Sequence, residues 1–412
     1  SSENVAIGRS ALQELNHTTA TNGFNTAVGS DAGKSVTTGT QNTLIGGLSG
    51  DALTDADQNT AVGVHSLASD TLGSRNVAIG HAALFSQNFT TATNAYNVAM
   101  GVDAGFSITT GVRNTLLGGL AGDALTDADD NVVIGMGALS ADTLGSGSVA
   151  VGKGALALQN FTTATTSYNV AVGLDAGNAI TTGFQNTIMG GLAGDALTDA
   201  DSNVAVGYFA LSNDSLGSFS VAIGSAALAA QNFTTATSTY NTAVGALAGN
   251  AITTGVFNTL IGGLAGDALT DADHNVAVGE DALAQDTLGS KSVAIGRTAL
   301  FAQNFTTATD SLNTAVGYAA GASVTTGVEN VFLGADTGDA VTTGSQNTFI
   351  GMNAGGAATE GTFNAFLGRS SGSAMTTGSK NTIIGSYNGN QNSLDIRTSS
   401  NNIVLSDGDG NP

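Results

Sequence analysis

The chain has 412 residues, with ten Lys and Arg against 32 Asp and Glu, for a formal charge of −22. That balance argues against a nucleic-acid binder, which needs basic groups to neutralise phosphates, and against docking on an anionic membrane surface. Cys is absent, which excludes disulfides and thiolate metal sites. With 58 Gly, a single Pro at Pro412 and 5% aromatics, Ala, Val, Ile, Leu and Thr are left to fill a narrow core.

The opening Ser1-Ser2-Glu3-Asn4-Val5 has neither a charged nor an apolar leader region, so it is not expected to be a signal peptide. No apolar run approaches the ~18 residues of a membrane span, and no membrane insertion is expected. From Asn4 onward the chain repeats a pentamer, Asn-[Thr/Val]-Ala-[Ile/Val]-Gly. It returns at Asn25 after 21 residues, then at Asn42, Asn59 and Asn76 at intervals of 17. The same spacing recurs from Asn97, Asn169 and Asn241, giving superrepeats of 72 residues, with Ser148, Ser220 and Ser292 replacing the pentamer Asn. After Asn313 the pentamers at Asn330, Asn347, Asn364 and Asn381 follow, and a degenerate copy begins at Asn402, for 23 coils in all.

A short strand followed by Gly, with no helical stripe, argues against helices and for an all-β parallel β-solenoid of coils of 17 or 21 residues. The repeat shaft is read as residues 1–400. Residues 401–412 are read as a terminal coil leading toward a further domain or cap. At ~4.8 Å per coil the stack is expected to be roughly 110 Å long. Asn at one point of every coil is expected to form an amide ladder, and the closing Gly to turn the chain. The four extra residues of each 21-residue coil, within Gln-Asn-Phe-Thr-Thr-Ala-Thr as at residues 87–93, are expected to bulge outward.

Period-2 alternation places pentamer positions two and four on one face and position three on the other. Positions two and four are assigned to the interior. The third position is then outward: Ala6, Ala27, Ala61 and Ala78, with Leu44, Leu116, Ile188 and Leu260 every fourth coil, and Phe332, Phe349 and Phe366 near the end. An outward apolar row of this length is an aggregation hazard in a monomer, so these residues are expected to line a subunit interface.

The strings Asn76-Val77-Ala78-Ile79-Gly80, Ser220-Val221-Ala222-Ile223-Gly224 and Ser292-Val293-Ala294-Ile295-Gly296 resemble the head repeat of trimeric autotransporter adhesins. The longer Asn-Thr-x-Ile-Gly-x-x-Ala-Gly-x-x-x-Thr-Thr-Gly pattern is similar to repeats of phage tail fibres. The ending at residues 401–412 is similar to the segment before their chaperone domain. The resemblance implies a left-handed β-roll, a homotrimeric fibre, and a tail-fibre shaft of the virion tail that attaches to a host-surface receptor, a glycan by expectation. The alternative it implies is a trimeric adhesin on a bacterial surface.

Repeated carboxylates suggest one cation chemistry. Asp51/Asp55/Asp57, Asp123/Asp127/Asp129, Asp195/Asp199/Asp201 and Asp267/Asp271/Asp273 are Ca²⁺ candidates by ligand type. Their spacing matches no known calcium loop, and the plainer reading is a solvated acidic turn. No other cofactor is expected. His17, His65, His81 and His274 sit at different repeat positions, and no Ser–His–Asp set recurs, so no enzymatic activity is expected. Thr-Thr-Gly rows bring ice binding to mind, but the Thr pair changes type between coils. Asn88-Phe89-Thr90 and its copies at Asn160, Asn232 and Asn304 match a glycosylation acceptor, for which a polar loop tip is the plainer reading.

Overall fold

The structure, a computed structural model, describes residues 2–412. It consists of two compact units, one running to Asn203 and the other being Val204–Pro412. Among the described residues there is no helix. Each unit is a β-solenoid in which every coil opens with a three-residue strand. The first unit has eleven, from Val5–Ile7, Thr26–Val28 and Thr43–Ile45 to Thr187–Met189. The second has twelve, from Val204–Val206 to Ile403–Leu405.

Within each unit the strands pair in parallel with equivalent residues side by side, as in Thr26↔Thr43, Ala27↔Leu44 and Val28↔Ile45. The backbone bonds therefore run between coils: Thr26 N–H donates to the Asn42 carbonyl at 2.8 Å, and Gly46 N–H to the Val28 carbonyl at 2.8 Å. The strands are short because the fifth residue turns the chain. Gly46 has φ +135°, and a Cβ there would strike the Gly63 carbonyl of the next coil. Any side chain would be strained and would also break the stacking distance.

The faces of the strand are reversed from the sequence expectation. The third pentamer residue points inward: Ala27, Leu44, Ala61, Ala78, Leu116, Ile188, Leu260, Phe332 and Phe349 are fully buried, and Phe366 almost so. Ala6, in the first coil, is exposed together with its whole strand. Positions two and four face out. None of these third-position residues except Ala6 is at the surface of a unit, so they do not line a subunit interface.

Packing explains why the third position alternates in size. The interior there is shared with the ninth coil residue. Where position three is Ala, position nine is commonly Leu, as in Ala61/Leu67, Ala78/Leu84 and Ala150/Leu156, all buried. Where position three is Leu, Ile or Phe, position nine is Gly: Leu44/Gly50, Leu116/Gly122, Ile188/Gly194 and Phe332/Gly338. A Cβ on Gly50 would lie 2.8 Å from Leu44 Cδ2, and one on Gly338 would lie 2.6 Å from the Phe332 ring. Neighbouring coils share the space as well, since a Cβ on Gly33 would meet Leu44 Cδ1 at 2.6 Å. The space over each small residue is thus filled from its own coil or from a neighbouring one, as close-packed interiors require.

The expected Asn ladder is present and buried. Asn42 Oδ1 accepts from the backbone N–H of Asn59 at 3.0 Å and from Asn59 Nδ2 at 3.2 Å. Asn42 Nδ2 donates to Asn25 Oδ1 at 3.1 Å and across the coil to the Ala56 carbonyl at 2.8 Å. A fixed polar residue inside a narrow coil is tolerated because its donors and acceptors are satisfied. The coil opened by Asn381 departs from the pattern with an antiparallel hairpin, Asn390–Gln391 against Leu394–Asp395, over the buried Tyr387. Beyond it Ile403–Leu405 pairs in parallel with Thr382–Ile384.

Candidate functional site

Turning the strand over leaves its larger aliphatic residues in water. The fourth position carries Ile45, Met100, Ile134 and Met189 in the first unit and Ile223, Ile261, Leu333 and Leu367 in the second, each 37–47% exposed. The second position is Val or Thr in nearly every coil, and neither column holds a charged residue. The sixth position extends the stripe at Val64, Val102, Met136 and Leu174, and in the second unit at Tyr208, Tyr318 and Met352. Eleven strands at ~4.8 Å make such a face about 50 Å long, and with a width of about 10 Å it presents roughly 500 Å² in each unit. This is at the upper end of what single soluble chains leave exposed. In the second unit Ala365 replaces the usual Val or Thr, and a shallow apolar groove opens there between Ile350, Leu367 and Ile384.

The acidic segments act as hydrogen-bond acceptors in the fold. The second and third carboxylates of each hold the Thr-Thr-Gly turn of the preceding coil. Asp55 accepts from Thr38 Oγ1 at 2.5 Å, and Asp57 from the Thr40 backbone N–H at 2.7 Å. Asp127 and Asp129 do the same for Thr110 and Val112, Asp199 and Asp201 for Thr182 and Phe184, and Asp271 and Asp273 for Thr254 and Val256. The first carboxylate is set apart from this turn bonding. Asp51, Asp123, Asp195 and Asp267 each bury an Oδ1 that no other residue's donor reaches, as does Asp339, which sequence reading did not single out. Burial pushes all five carboxyls above the ordinary aspartate value, with their own backbone N–H opposing. Among the described residues no three His, Asp or Glu side chains converge.

A second set of carboxylates was hidden in the sequence. Asp70, Asp142, Asp214 and Asp286 are fully buried without a cation beside them. Asp70 Oδ1 accepts from the backbone N–H of Gly73 and of Phe89, both at 3.1 Å, and its Oδ2 from Gln87 Nε2 at 2.6 Å. Gln87 Oε1 in turn accepts from Asn97 Nδ2 at 2.8 Å. This chain of bonds ties the longer 21-residue coil to its neighbours and draws Phe89 inward, while Asn88 and the residues after Phe89 stand out. It also accounts for the Ser that replaces Asn in three coils. Gln159 Nε2 reaches Ser148 Oγ at 2.9 Å, and Ser148 Oγ meets Ser167 Oγ at 2.6 Å, whereas the copy that keeps Asn76 has Ala95 in place of that partner. The legible signal is Gln at one coil's distance from each Asp, repeated every 72 residues.

Outside the core, the residue before each pentamer forms an exposed column. Phe219, Tyr240, Phe257 and His274 stack with ring centroids 5.2, 5.6 and 4.9 Å apart. In the first unit Gln58 bonds Gln41 at 2.9 Å and Arg75 bonds Gln58 at 3.0 Å. These cross-strand pairs reinforce the coil register. Two histidines that seemed scattered are neighbours: His65 and His81 lie 6.4 Å apart, with Asp103 3.4 Å from His81. Compared with known proteins, the chain matches no protein-family model and no curated protein.

Proposed function

We propose that the chain is the shaft of a homotrimeric fibre, the phage tail fibre that its repeats resemble, holding the host-binding parts of a virion tail at a distance and contributing to attachment. The carrying observation is the uncharged aliphatic face of pentamer positions two and four. Three copies that pack these faces around a common axis remove them from water, and closed cyclic symmetry prevents open-ended growth. The acidic turns, with Asp55 and Asp57 on the Thr-Thr-Gly corner, stay outside and keep the assembly dispersed. In this reading exposed residues such as Ile261, Ile295 and Leu333 line the interface, and the buried third position does not.

Sedimentation of the full chain at micromolar concentration tests the assembly, with a threefold mass expected. A monomer would overturn it. Adsorption of host cells to the purified trimer, competed by cell-surface polysaccharide, tests the attachment role.

A further inference from the structure

Four of the 21-residue coils carry Gln-Asn-Phe-Thr-Thr-Ala-Thr unchanged, and the first carries Leu15-Asn16-His17-Thr18-Thr19-Ala20-Thr21. A loop-tip reading explains part of it. Gln87 and Phe89 are buried, and Phe89 N–H is held by Asp70. Asn88 Oδ1 accepts from Thr71 Oγ1 at 3.1 Å, and the equivalent bonds at Asn160 and Asn304 are 3.2 and 3.1 Å. Thr90 is different. It is exposed, its hydroxyl bonds to no group among the described residues, and yet Thr90, Thr162, Thr234 and Thr306 are all Thr. Thr91 and Ala92 are copied with it, but the first 21-residue coil keeps Asn16 and Thr18 where Leu15 and His17 replace the Gln and Phe, and other surface positions of the longer coils have drifted. Residues 85, 157, 229 and 301 are Phe, Ala, Ala and Phe, and residues 94, 166, 238 and 310 are Asn, Thr, Ser and Asp.

The feature that requires a hydroxyl two residues after Asn is the Asn-x-Thr acceptor of N-linked sugar. The geometry suits it. With Phe89 turned inward, Asn88 and Thr90 both stand on the outer side. Thr71 holds Oδ1, and Nδ2 donates to no acceptor among the described residues. We infer that Asn88, Asn160, Asn232 and Asn304 are glycosylation sites, modified by an asparagine glycosyltransferase of the cell that makes the chain. The donor is a sugar carried as a nucleotide or lipid diphosphate. Nδ2 attacks the sugar C1 and a C1–N bond forms. The C1–O bond to phosphate breaks, the diphosphate leaves with the electron pair, and the proton lost from Nδ2 passes to a base. No oxidation is involved, and the Thr71 bond to Oδ1 survives. Sugar at this point lies on the tips of the longer coils, every fourth coil, clear of the strand face.

The test is glycopeptide mass spectrometry of the full chain isolated from its native source. One sugar adduct on each of the four Asn is expected, released by an amidase with conversion of Asn to Asp. Thr90→Ala abolishes the adduct on Asn88 alone, while Thr90→Ser retains it. The melting temperature of unmodified Thr90→Ala matches that of the unmodified parent, since the hydroxyl holds nothing. Unmodified Asn in peptides covering all four sites overturns the inference, as does an adduct that persists in Thr90→Ala.

Discussion

Leu44→Ala separates an inward from an outward third position. In the structure Leu44 is fully buried, and its methyl groups occupy the space over Gly50 of its own coil and Gly33 of the preceding one. Truncation removes three carbons and leaves a cavity that backbone-bonded coils cannot close, so a loss of about 2–5 kcal/mol is expected. Gly50→Leu alone places a side chain against Leu44 and puts a branched residue at φ +57°. Overpacking costs about 1–3 kcal/mol, and the left-handed conformation a further ~1–2 kcal/mol. The two changes together recreate the natural pair Ala61/Leu67, in which Leu67 already has φ +52°. The double variant is therefore expected to lose less than the sum of the singles, with a favourable coupling of about 1–3 kcal/mol. Recovery stays incomplete because the space over Gly33 remains empty. Repeat arrays lose cooperativity on unfolding, so the assay is hydrogen exchange at amides that bond the Leu44 coil to its neighbours, such as Gly46 and Gly63. If Leu44→Ala changes exchange by less than ~0.5 kcal/mol, the range of surface substitutions, or the double equals the sum, the packing account fails.

Ile261→Lys and Ile295→Lys, on the outer strand face, should leave coil exchange nearly unchanged and convert the sedimenting species to single chains. Asn59→Ala removes the acceptor of Asn76 N–H and the donor to the Gly73 carbonyl; at about 1–3 kcal/mol per stranded buried group, faster exchange at Asn76 is the readout. Gly46→Ala forces a Cβ onto the next coil's backbone at φ +135° and should give protease-sensitive coils on both sides. Burial raises the Asp70 and Asp142 carboxyls above 3.8. The folded state then binds protons more readily than the unfolded one. That contribution is complete below the unfolded value and lost as pH rises through the folded value. Melting curves at mildly acidic pH, just above 3.8, should show a gain relative to pH 7 that shrinks in a double variant of Asp70→Asn and Asp142→Asn, whose Asn amides would themselves oppose the Gln87 and Gln159 donors.

By itself the sequence determined the repeat, the coil lengths, the parallel solenoid and the Asn ladder, because these follow from identical residues returning at fixed intervals. It also established that positions two and four share one side of the strand. Which side is inside could not be read from alternation, because both sides are apolar: Val, Thr and Ile on one, Ala, Leu and Phe on the other. Only the closed coil decided it. Its narrow interior is already occupied by the Asn amide and the ninth-position Leu, so the strand has room inward for little more than Ala unless a Gly stands opposite. The pairing of Leu44 with Gly50 and of Ala61 with Leu67 was present in the sequence but acquires meaning only when residues six positions apart face each other across a coil. The acidic turns, too, disclose their bonding only in the fold. Hydrogen bonds from the preceding coil occupy two of every three carboxylates, and the first keeps a buried Oδ1 apart from them.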